Sequence, residues 1–596
     1  MSTLTLNVEQ LYYSIMSGAK EVIRQAAHLN KINVFPVPDG DTGTNLASMM
    51  RSLLQRSKLE KSLTATLASV SDAALIGARG NSGIIFAQYI NGLIMSLEKS
   101  DTLTLDRFAL GLQEAVPYAK EAISVPVEGT MITVMRVFAE AFSEALTPKS
   151  SFIDAFENSM TTVYQALEDT TEQLEVLKKA GVVDAGAKGF VHFLEGFVNY
   201  LKTGEFDMDI VEDVVATLSH LDHADDYDPA YRYCTEALIS GARLDRETIR
   251  EAVAALGDSL VVAGNNRKMR LHIHTNQPQS VFFTLRTYGD IIEQKVDDMQ
   301  RQYEVAHARK HDIALVTDSI ADLPKSLVDQ YQVHVVPIHL MIENSEYYDK
   351  LTIDSEQFYA FMDELLVYPK SAQPNVKTIE NLYSFLSTYY KEIVVLTVSE
   401  KMSGTYGAFA QAARNVQDES VPIRVIDTRQ NSGAEGLLVQ RAAEMIAAGA
   451  DAESIETAMR TLREQTKILV SVKTLKYMVR SGRLSKVTGL VAKVLNLKPV
   501  VSIDADGEGI ILEKGLSLKS STKKIFKHIE SVMAAGGIER YAIVHANASD
   551  RLKQYQARLE AMTGMAPAYT MQISTVVAMN AGIGSIAVAY IAKNHL

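Results

Sequence analysis

The first 204 residues repeat one pattern. Apolar residues recur at the spacing of one helix face over residues 11–23, 63–74, 84–97, 105–122, 131–146, 152–178 and 187–201. That period belongs to amphipathic helices and not to strands. The breaks between them, at 77–83, 127–130 and 181–186, are rich in glycine. Such a segment folds as packed helices, and an up-and-down helical barrel would gather these breaks at one end.

One break carries unusual chemistry. Asn33-Val34-Phe35-Pro36-Val37-Pro38-Asp39-Gly40-Asp41 runs directly into Thr42, Gly43, Thr44, Asn45 and a helix-like stretch over 46–54. The two prolines hold the approach extended. Gly40 lets Asp39 and Asp41 converge on one point. Two close carboxylates need a cation, a shared proton or full solvation. Hard oxygen ligands of this kind suit Mg²⁺, held jointly with substrate phosphates. A solvated turn is the plain alternative; the proline-framed apolar approach favours a site. The 77–83 break precedes a helix expected from Ile84, so its free amides and the Ser82 hydroxyl can cradle phosphate. By itself it reads equally as a turn between helices.

The bulk numbers exclude several classes. A chain of 596 residues is too long for one core and predicts three or four domains. A net charge of −13 with no basic run argues against nucleic-acid binding. A single cysteine excludes an intrachain disulfide, and the N-terminal residues lack a signal-peptide pattern, so a cytoplasmic location is expected. The longest apolar-looking run, 84–97, contains Gln88 and Asn91 and is too short for a membrane span.

Beyond an acidic, His- and Asp-rich stretch at 206–229 the pattern changes. Residues 231–306 mix strand-like runs at 235–240, 259–263 and 269–274 with helices at 246–256 and 279–288, a small α+β domain. On a strand, His272 and His274 point to one face. With the lone Cys234 they make a set of one thiolate and two imidazoles suited to Zn²⁺; the plain alternative is a buried small residue and two ordinary histidines. From His311 onward, buried strands at 313–319, 393–398 and 423–426 alternate with helical patterns, as in an α/β parallel sheet. Strand groups at 500–511 and 541–546 suggest a second lobe.

Three resemblances follow from these motifs. The 33–45 loop resembles the metal loop of the kinase family that includes the L subunit of dihydroxyacetone kinase, and is closer to the ATP-binding component of bacterial fatty acid kinase. The resemblance implies that Asn33, Asp39 and Asp41 hold two Mg²⁺ ions, with Asp39 and Asp41 catalytic. Dihydroxyacetone kinases carry Asp where this chain has Asn33, one residue closer to the pair. It further implies that Thr42, Thr44 and Asn45, the phosphate loop Gly80, Asn81, Ser82 and Gly83, then Gly129, Thr130 and Met131, and lastly Asp184 and Gly186 surround ATP. The plain alternative for Asp184 is a helix N-cap. Positioning and charge neutralisation are what phosphoryl transfer asks of such loops, with direct in-line transfer the simplest route.

The segments around Cys234 and around His272 and His274 resemble the middle domain of the same kinase component, where the equivalent residues bind zinc. The region 311–596 resembles the DegV family, the acyl-chain-binding partner of that kinase. The motifs carrying it are Val316-Thr317-Asp318-Ser319, Pro369 to Pro374, Ser403-Gly404-Thr405-Tyr406 and Ser481-Gly482-Arg483-Leu484. The resemblance implies a buried long-chain fatty acid whose carboxylate is held near Ser371, Ser403, Gly404, Thr405 and Arg483. Two departures stand out: Ala372 where the family has Ser, and Asn580 where a His is expected.

The expected architecture is therefore multidomain: an all-α helical barrel at 1–204, an α+β middle domain at 205–306 and a two-lobed α/β DegV fold at 307–596. The expected activity is ATP-dependent phosphorylation of a fatty acid carboxylate to an acyl phosphate. Its cofactors would be ATP, two Mg²⁺ and Zn²⁺, and its partners a long-chain fatty acid and an acyltransferase that consumes the acyl phosphate. A homodimer is expected. A non-catalytic lipid-binding protein and a kinase of a small polyol are the alternatives.

Overall fold

The computed structural model describes residues 5–35, 40–97, 103–123, 126–206, 230–362, 364–365, 367–416, 421–481 and 497–593. Its Cα atoms separate into two compact units, Met1–Gln277 with Thr284–Met299, and Pro278–Phe283 with Gln300–Leu596.

The first unit opens with nine helices among its described residues: α1 (Val8–Lys31), α2 (Thr42–Arg56), α3 (Leu63–Gly77), α4 (Gly80–Leu97), α5 (Leu105–Glu121), α6 (Met131–Glu144), α7 (Phe152–Gln173), α8 (Glu175–Ala180) and α9 (Ala185–Thr203). Their starts are written locally. Asn7, Ser62, Thr104, Ser151 and Asp184 each accept an amide of the following first turn, and Asn7 and Ser151 complete reciprocal caps with Gln10 and Asp154. Each of α1 to α7 packs on the next, and α9 packs on both α7 and α1. Phenylalanines fill the interior: Phe86 meets Phe193 edge to face at 5.1 Å, and Phe142 meets Phe156 at 5.0 Å. Burying each ring contributes about 1.5–3 kcal/mol.

Two sequence expectations are corrected here. The helix expected over 152–178 is broken at Leu174, whose extended backbone (φ −121°, ψ 121°) separates α7 from α8. The seven-residue loop expected at 77–83 is only Ala78 and Arg79, because α3 runs through Gly77 and α4 already begins at Gly80. Gly80 makes that start possible. Its φ is +56°, and a Cβ there would lie 2.2 Å from Asn45 Nδ2.

The unit continues into a four-stranded antiparallel sheet in the order β4-β5-β3-β6. Its strands are β3 (Tyr233–Ser240), β4 (Gly257–Gly264), β5 (Lys268–Thr275) and β6 (Asp290–Asp298); the helix Arg246–Val253 joins the first two. The short strands β1 (Thr5–Leu6) and β2 (Leu103–Thr104) pair elsewhere, beside the helices. Val261 and Ala263 of β4 belong to the core of the helices, and the Val262 amide donates to Ala122 O at 3.1 Å.

The second unit holds a parallel sheet, β13-β12-β7-β8, made of β7 (Ile313–Asp318), β8 (His334–Val336), β12 (Glu392–Thr397) and β13 (Ile423–Asp427). A small antiparallel sheet joins β9 (His339–Ile342), β10 (Ser345–Tyr348) and β11 (Lys370–Ala372). The expected second lobe is a six-stranded mixed sheet in the order β16-β15-β14-β19-β17-β18. It comprises β14 (Thr466–Ser471), β15 (Val500–Ile503), β16 (Gly509–Glu513), β17 (Ile538–His545), β18 (Tyr569–Gln572) and β19 (Ile586–Ala592). β19 is buried throughout and β14 and β17 over most of their length, which explains their apolar runs.

Candidate functional site

The starts of four helices gather at one end of the helical part. Thr42, at the start of α2, donates its hydroxyl to Asn33 Oδ1, and its Oγ1 lies 3.5 Å from Ser82 Oγ of α4. Gly189, in the first turns of α9, lies against α2: a Cβ there would be 2.4 Å from Leu46 Cδ1. Asp184, the N-cap of α9, accepts the Ala187 amide at 2.7 Å and also a backbone amide from Met131, at the start of α6. α2, α4, α6 and α9 therefore point their positive dipole ends into the same region, where an anion is stabilised.

Most of the expected nucleotide residues fall within this end. Thr44 is fixed by Asn30, which accepts its amide at 3.0 Å and donates to its hydroxyl at 2.9 Å. Gly129 (φ +84°) donates its amide to Thr133 Oγ1 at 2.9 Å, and the Thr130 hydroxyl donates to Val127 O at 2.8 Å. Gly186 has room for no side chain, since a Cβ would be 2.9 Å from Met131 Cε. Asp184 is buried, and burial against the opposing pull of three amides pushes its carboxyl up to about 6. Asp184 is thus the helix N-cap of the plain alternative, and the same carboxylate ties α6 to α9.

The phosphate loop differs from expectation in detail. The Gly83 amide bonds Arg79 O at 3.1 Å, as a helical amide should, and the Gly80 amide goes to Glu236 of β3 at 2.6 Å. The contacts expected of the loop therefore fall to Asn81 and Ser82. Among the described residues, Asn81 Oδ1 is a buried acceptor without a hydrogen-bond partner, which a donor on a bound nucleotide would satisfy. In the metal loop, Asn33 is buried and Asp41 occupies the N-cap position of α2 without capping it through its side chain. Asp39 lies outside the described residues.

Strand register assembles the second cluster. Cys234 of β3 stands opposite His274, and Glu236 opposite His272, both on β5. Ligand atoms of Cys234, His272 and His274 all lie within 4.8 Å of one another. Burial and the neighbouring His272 hold His274 down to about 3, so it is a neutral imidazole, the form that ligates metal. Burial, then Glu236, Asp297 and Asp41, push the Cys234 thiol upward. A thiol so placed stays protonated unless a cation stabilises the thiolate. The donor set fits Zn²⁺, as does the buried His272 Nε2, which has no hydrogen-bond partner among the described residues.

In the second unit, a cavity of about 290 Å³ collects Ser371, Ala372, Ser403, Gly404 and Asn580. Its remaining walls are mostly apolar, from β14, β15, β19 and the helix Thr575–Ala581. Thr405 is not part of the lining. It stands behind Ser403, the two hydroxyl oxygens 2.8 Å apart. Arg483 lies outside the described residues. Asn580 turns its amide nitrogen back to Val576 O at 2.7 Å, one helical turn earlier, while its buried Oδ1 has no partner among the described residues. Sequence reasoning passed over Gln373, whose Oε1 would be 2.0 Å from a Cβ on Gly404; its place in the Ser371-Ala372-Gln373-Pro374 motif was the available signal. It also left Glu236 unassigned, although Glu236 follows Cys234 by one strand repeat.

Comparison with known proteins places these parts. Residues 36–199 match the DAK2 domain, residues 230–306 the FakA-like middle domain of fatty acid kinases, and residues 312–593 the DegV family. An uncharacterized protein of Staphylococcus epidermidis is 30% identical over 344 residues, covering 52% of this chain and 62% of that protein. One from Staphylococcus aureus is 32% identical over 311 residues, 50% of this chain and 56% of that protein. The chain thus spans under two thirds of the length of these relatives. Among solved structures, DegV, a fatty acid binding protein from Bacillus subtilis, is 24% identical with a TM-score of 0.44, covering 48% of this chain and 100% of its own. A fatty-acid-binding DegV family protein from Thermus thermophilus is 25% identical with a TM-score of 0.43, covering 47% and 99%. The chain joins, in a single polypeptide, a DAK2 domain, a FakA-like middle domain and a DegV family domain.

Proposed function

We propose that the chain transfers the γ-phosphoryl group of ATP to the carboxylate of a long-chain fatty acid held by its own DegV domain. A carboxylate oxygen attacks the γ-phosphorus, the bond to the β–γ bridging oxygen breaks, and acyl phosphate and ADP are the products. The observation that carries this proposal is the apolar cavity with Ser371 and Ser403 on its wall, in the same chain as a DAK2 domain whose helix starts converge. Thr42, Asn81 and Ser82 would orient the phosphates, and Thr44 and Asn45 would support that end. Asn33, Asp39 and Asp41 would hold two Mg²⁺, which supply charge neutralisation at the phosphates. Cys234, His272 and His274 would hold Zn²⁺, which supplies a fixed positive charge beside the metal loop. The residue roles, the barrel description, the division at 1–204, 205–306 and 307–596, a cytoplasmic location, a homodimer and an acyltransferase downstream belong to the same proposal. Among the described residues no helix is long and apolar enough to cross a membrane. Fusion keeps the acceptor at high effective concentration.

The test is ATP turnover by the full chain with Mg²⁺, with and without oleate, and hydroxylamine added to trap acyl phosphate as a hydroxamate. ADP release and hydroxamate that both depend on oleate are expected. Turnover with glycerol or dihydroxyacetone but not oleate would make it a polyol kinase; bound lipid without turnover would make it a carrier.

A further inference from the structure

Glu236 and Arg270 are only 1% exposed, and both project from the middle sheet onto the α3–α4 junction. Glu236 Oε1 accepts the Gly80 amide at 2.6 Å, and Oε2 lies 3.8 Å from Arg79 Nε. Arg270 donates from Nε to Leu75 O at 3.3 Å and from Nη2 to Ile76 O. Glu293 of β6 joins Arg270 at 2.9 Å to Arg79 at 3.2 Å. The sheet thus presents a carboxylate to the start of α4 and a guanidinium to the end of α3, each charge complementing the dipole end it meets. Buried charges are tolerated only when compensated, so this face and this junction require each other. The same oxygen of Glu236 also meets the cysteine–histidine cluster: Oε1 is 3.5 Å from His272 Nδ1.

We infer that Glu236 is a positioning residue for the nucleotide site, fixing Gly80 so that Asn81 and Ser82 face the phosphates, and that it links metal occupancy at Cys234, His272 and His274 to the order of that helix start. The inference rests on the nucleotide site proposed above. Gly80 is held from both sides, by Glu236 and by the close approach of Asn45, so its position sets that of Ser82, whose hydroxyl faces Thr42. A metal on His272 holds the imidazole that Glu236 leans on, and its removal loosens Glu236 and with it the first turn of α4. Glu236 needs no contact with ATP for this role.

The test uses the full chain loaded with Zn²⁺, amide hydrogen exchange of peptides covering 78–86, and calorimetry with Mg·ATP. Glu236→Ala is expected to speed exchange at 78–86 about tenfold and to weaken ATP about tenfold, leaving exchange in α7 unchanged. Glu236→Gln keeps an acceptor for the Gly80 amide and should recover most of the affinity. Chelation of zinc from the wild type should speed exchange at 78–86, and should add nothing in Glu236→Ala. Wild-type exchange at 78–86 that ignores chelation, or a chain that takes up no zinc, overturns the link without need of any variant. Unchanged exchange and affinity in Glu236→Ala overturn the positioning role. A wild type that binds no nucleotide overturns the proposed function itself, and exchange at 78–86 then decides whether Glu236 still orders the helix start.

Discussion

The hydroxyl oxygens of Ser403 and Thr405 stand 2.8 Å apart, one on the wall of the cavity and the other buried behind it. Thr405 begins the helix Thr405–Val416 and holds the Ser403 rotor from a position no ligand reaches. Ser403→Ala should weaken binding of oleate by about 0.5–1.5 kcal/mol, the worth of one neutral hydrogen bond. Thr405→Val should weaken it by a smaller amount in the same direction. Calorimetry on the full chain checks both; a Thr405→Val affinity equal to wild type would mean Ser403 needs no support.

Asn580 presents a buried oxygen, without a partner among the described residues, where a carboxylate is expected to lie. Two acceptors facing each other repel. Asn580→His should therefore tighten fatty acid binding, and most strongly below about pH 6.5, where an ordinary imidazole is charged and its bond to carboxylate contributes about 1.5–3 kcal/mol. Affinity measured at pH 6 and pH 8 gives the answer. A variant that binds no better at pH 6 than at pH 8 would place the carboxylate elsewhere.

Asp41 sits at the start of α2 beside Asn33, Thr42 and Ser82. Asp41→Asn should abolish Mg²⁺-dependent ATP turnover, by at least about a hundredfold, while leaving the melting temperature unchanged or raised. Removing one negative charge from a crowded site costs the fold nothing. Turnover that survives unchanged in Asp41→Asn removes the metal loop from the chemistry.

Cys234→Ala should remove bound zinc. The purified wild type is expected to carry about one Zn²⁺ per chain by elemental analysis, and losing the only thiolate of a three-residue set leaves two imidazoles, too few to retain it through dialysis. Zinc found equally in both proteins would place the ion at another site.

Glu435 is fully buried, and neither of its carboxylate oxygens has a hydrogen-bond partner among the described residues. Burial pushes its carboxyl well above the ordinary range, and Asp318, Asp322 and Asp427 add to the push against Lys350. Burial also pushes Asp318 and Asp349 up to about 6. Such groups bind their protons more tightly when folded. Their contribution is complete below the unfolded values near 4 and is lost as pH rises through the folded values. These three carboxyls should therefore stabilise the second unit less at pH 8 than at pH 5, opposed by His334, which burial holds down to about 3. Glu435→Met, similar in volume and uncharged, should add about 1–3 kcal/mol at pH 8 and flatten that dependence. Thermal unfolding at the two pH values checks it, and equal slopes in the two proteins would exonerate Glu435.

The parts legible in the sequence were those written within a few residues. Asp184 announces a helix start through its own cap, apolar spacing announces the helices from Leu63 and Phe152, and Ile313–Asp318 announces a buried strand by composition. Cys234, His272 and His274 could be grouped because alternate strand residues share a face. Glu236 shared that face too, yet its partner Gly80 is 156 positions away, and no local pattern encodes such a pair. Glycine density suggested a loop at 77–83, whereas one left-handed residue sufficed to turn the chain and begin α4. Gly77 has a different purpose: a Cβ there would sit 2.2 Å from Ser52 Cβ, so it serves the contact between α2 and α3.

β19 lies between β14 and β17 in the six-stranded sheet, and Ile586 and Ala587 on it form part of the cavity wall. During synthesis, β14 leaves the ribosome more than a hundred residues before the neighbour it must pair with. Until β19 is made, two apolar strands in the middle of the lobe have open edges, a template for intermolecular pairing. An acyl chain cannot shelter them early, since the wall that would hold it is still missing. The lobe's most dangerous interval on the way to the native state is thus set by strand order, and a nascent chain stalled before residue 586 should be a client for chaperones that cover exposed strands.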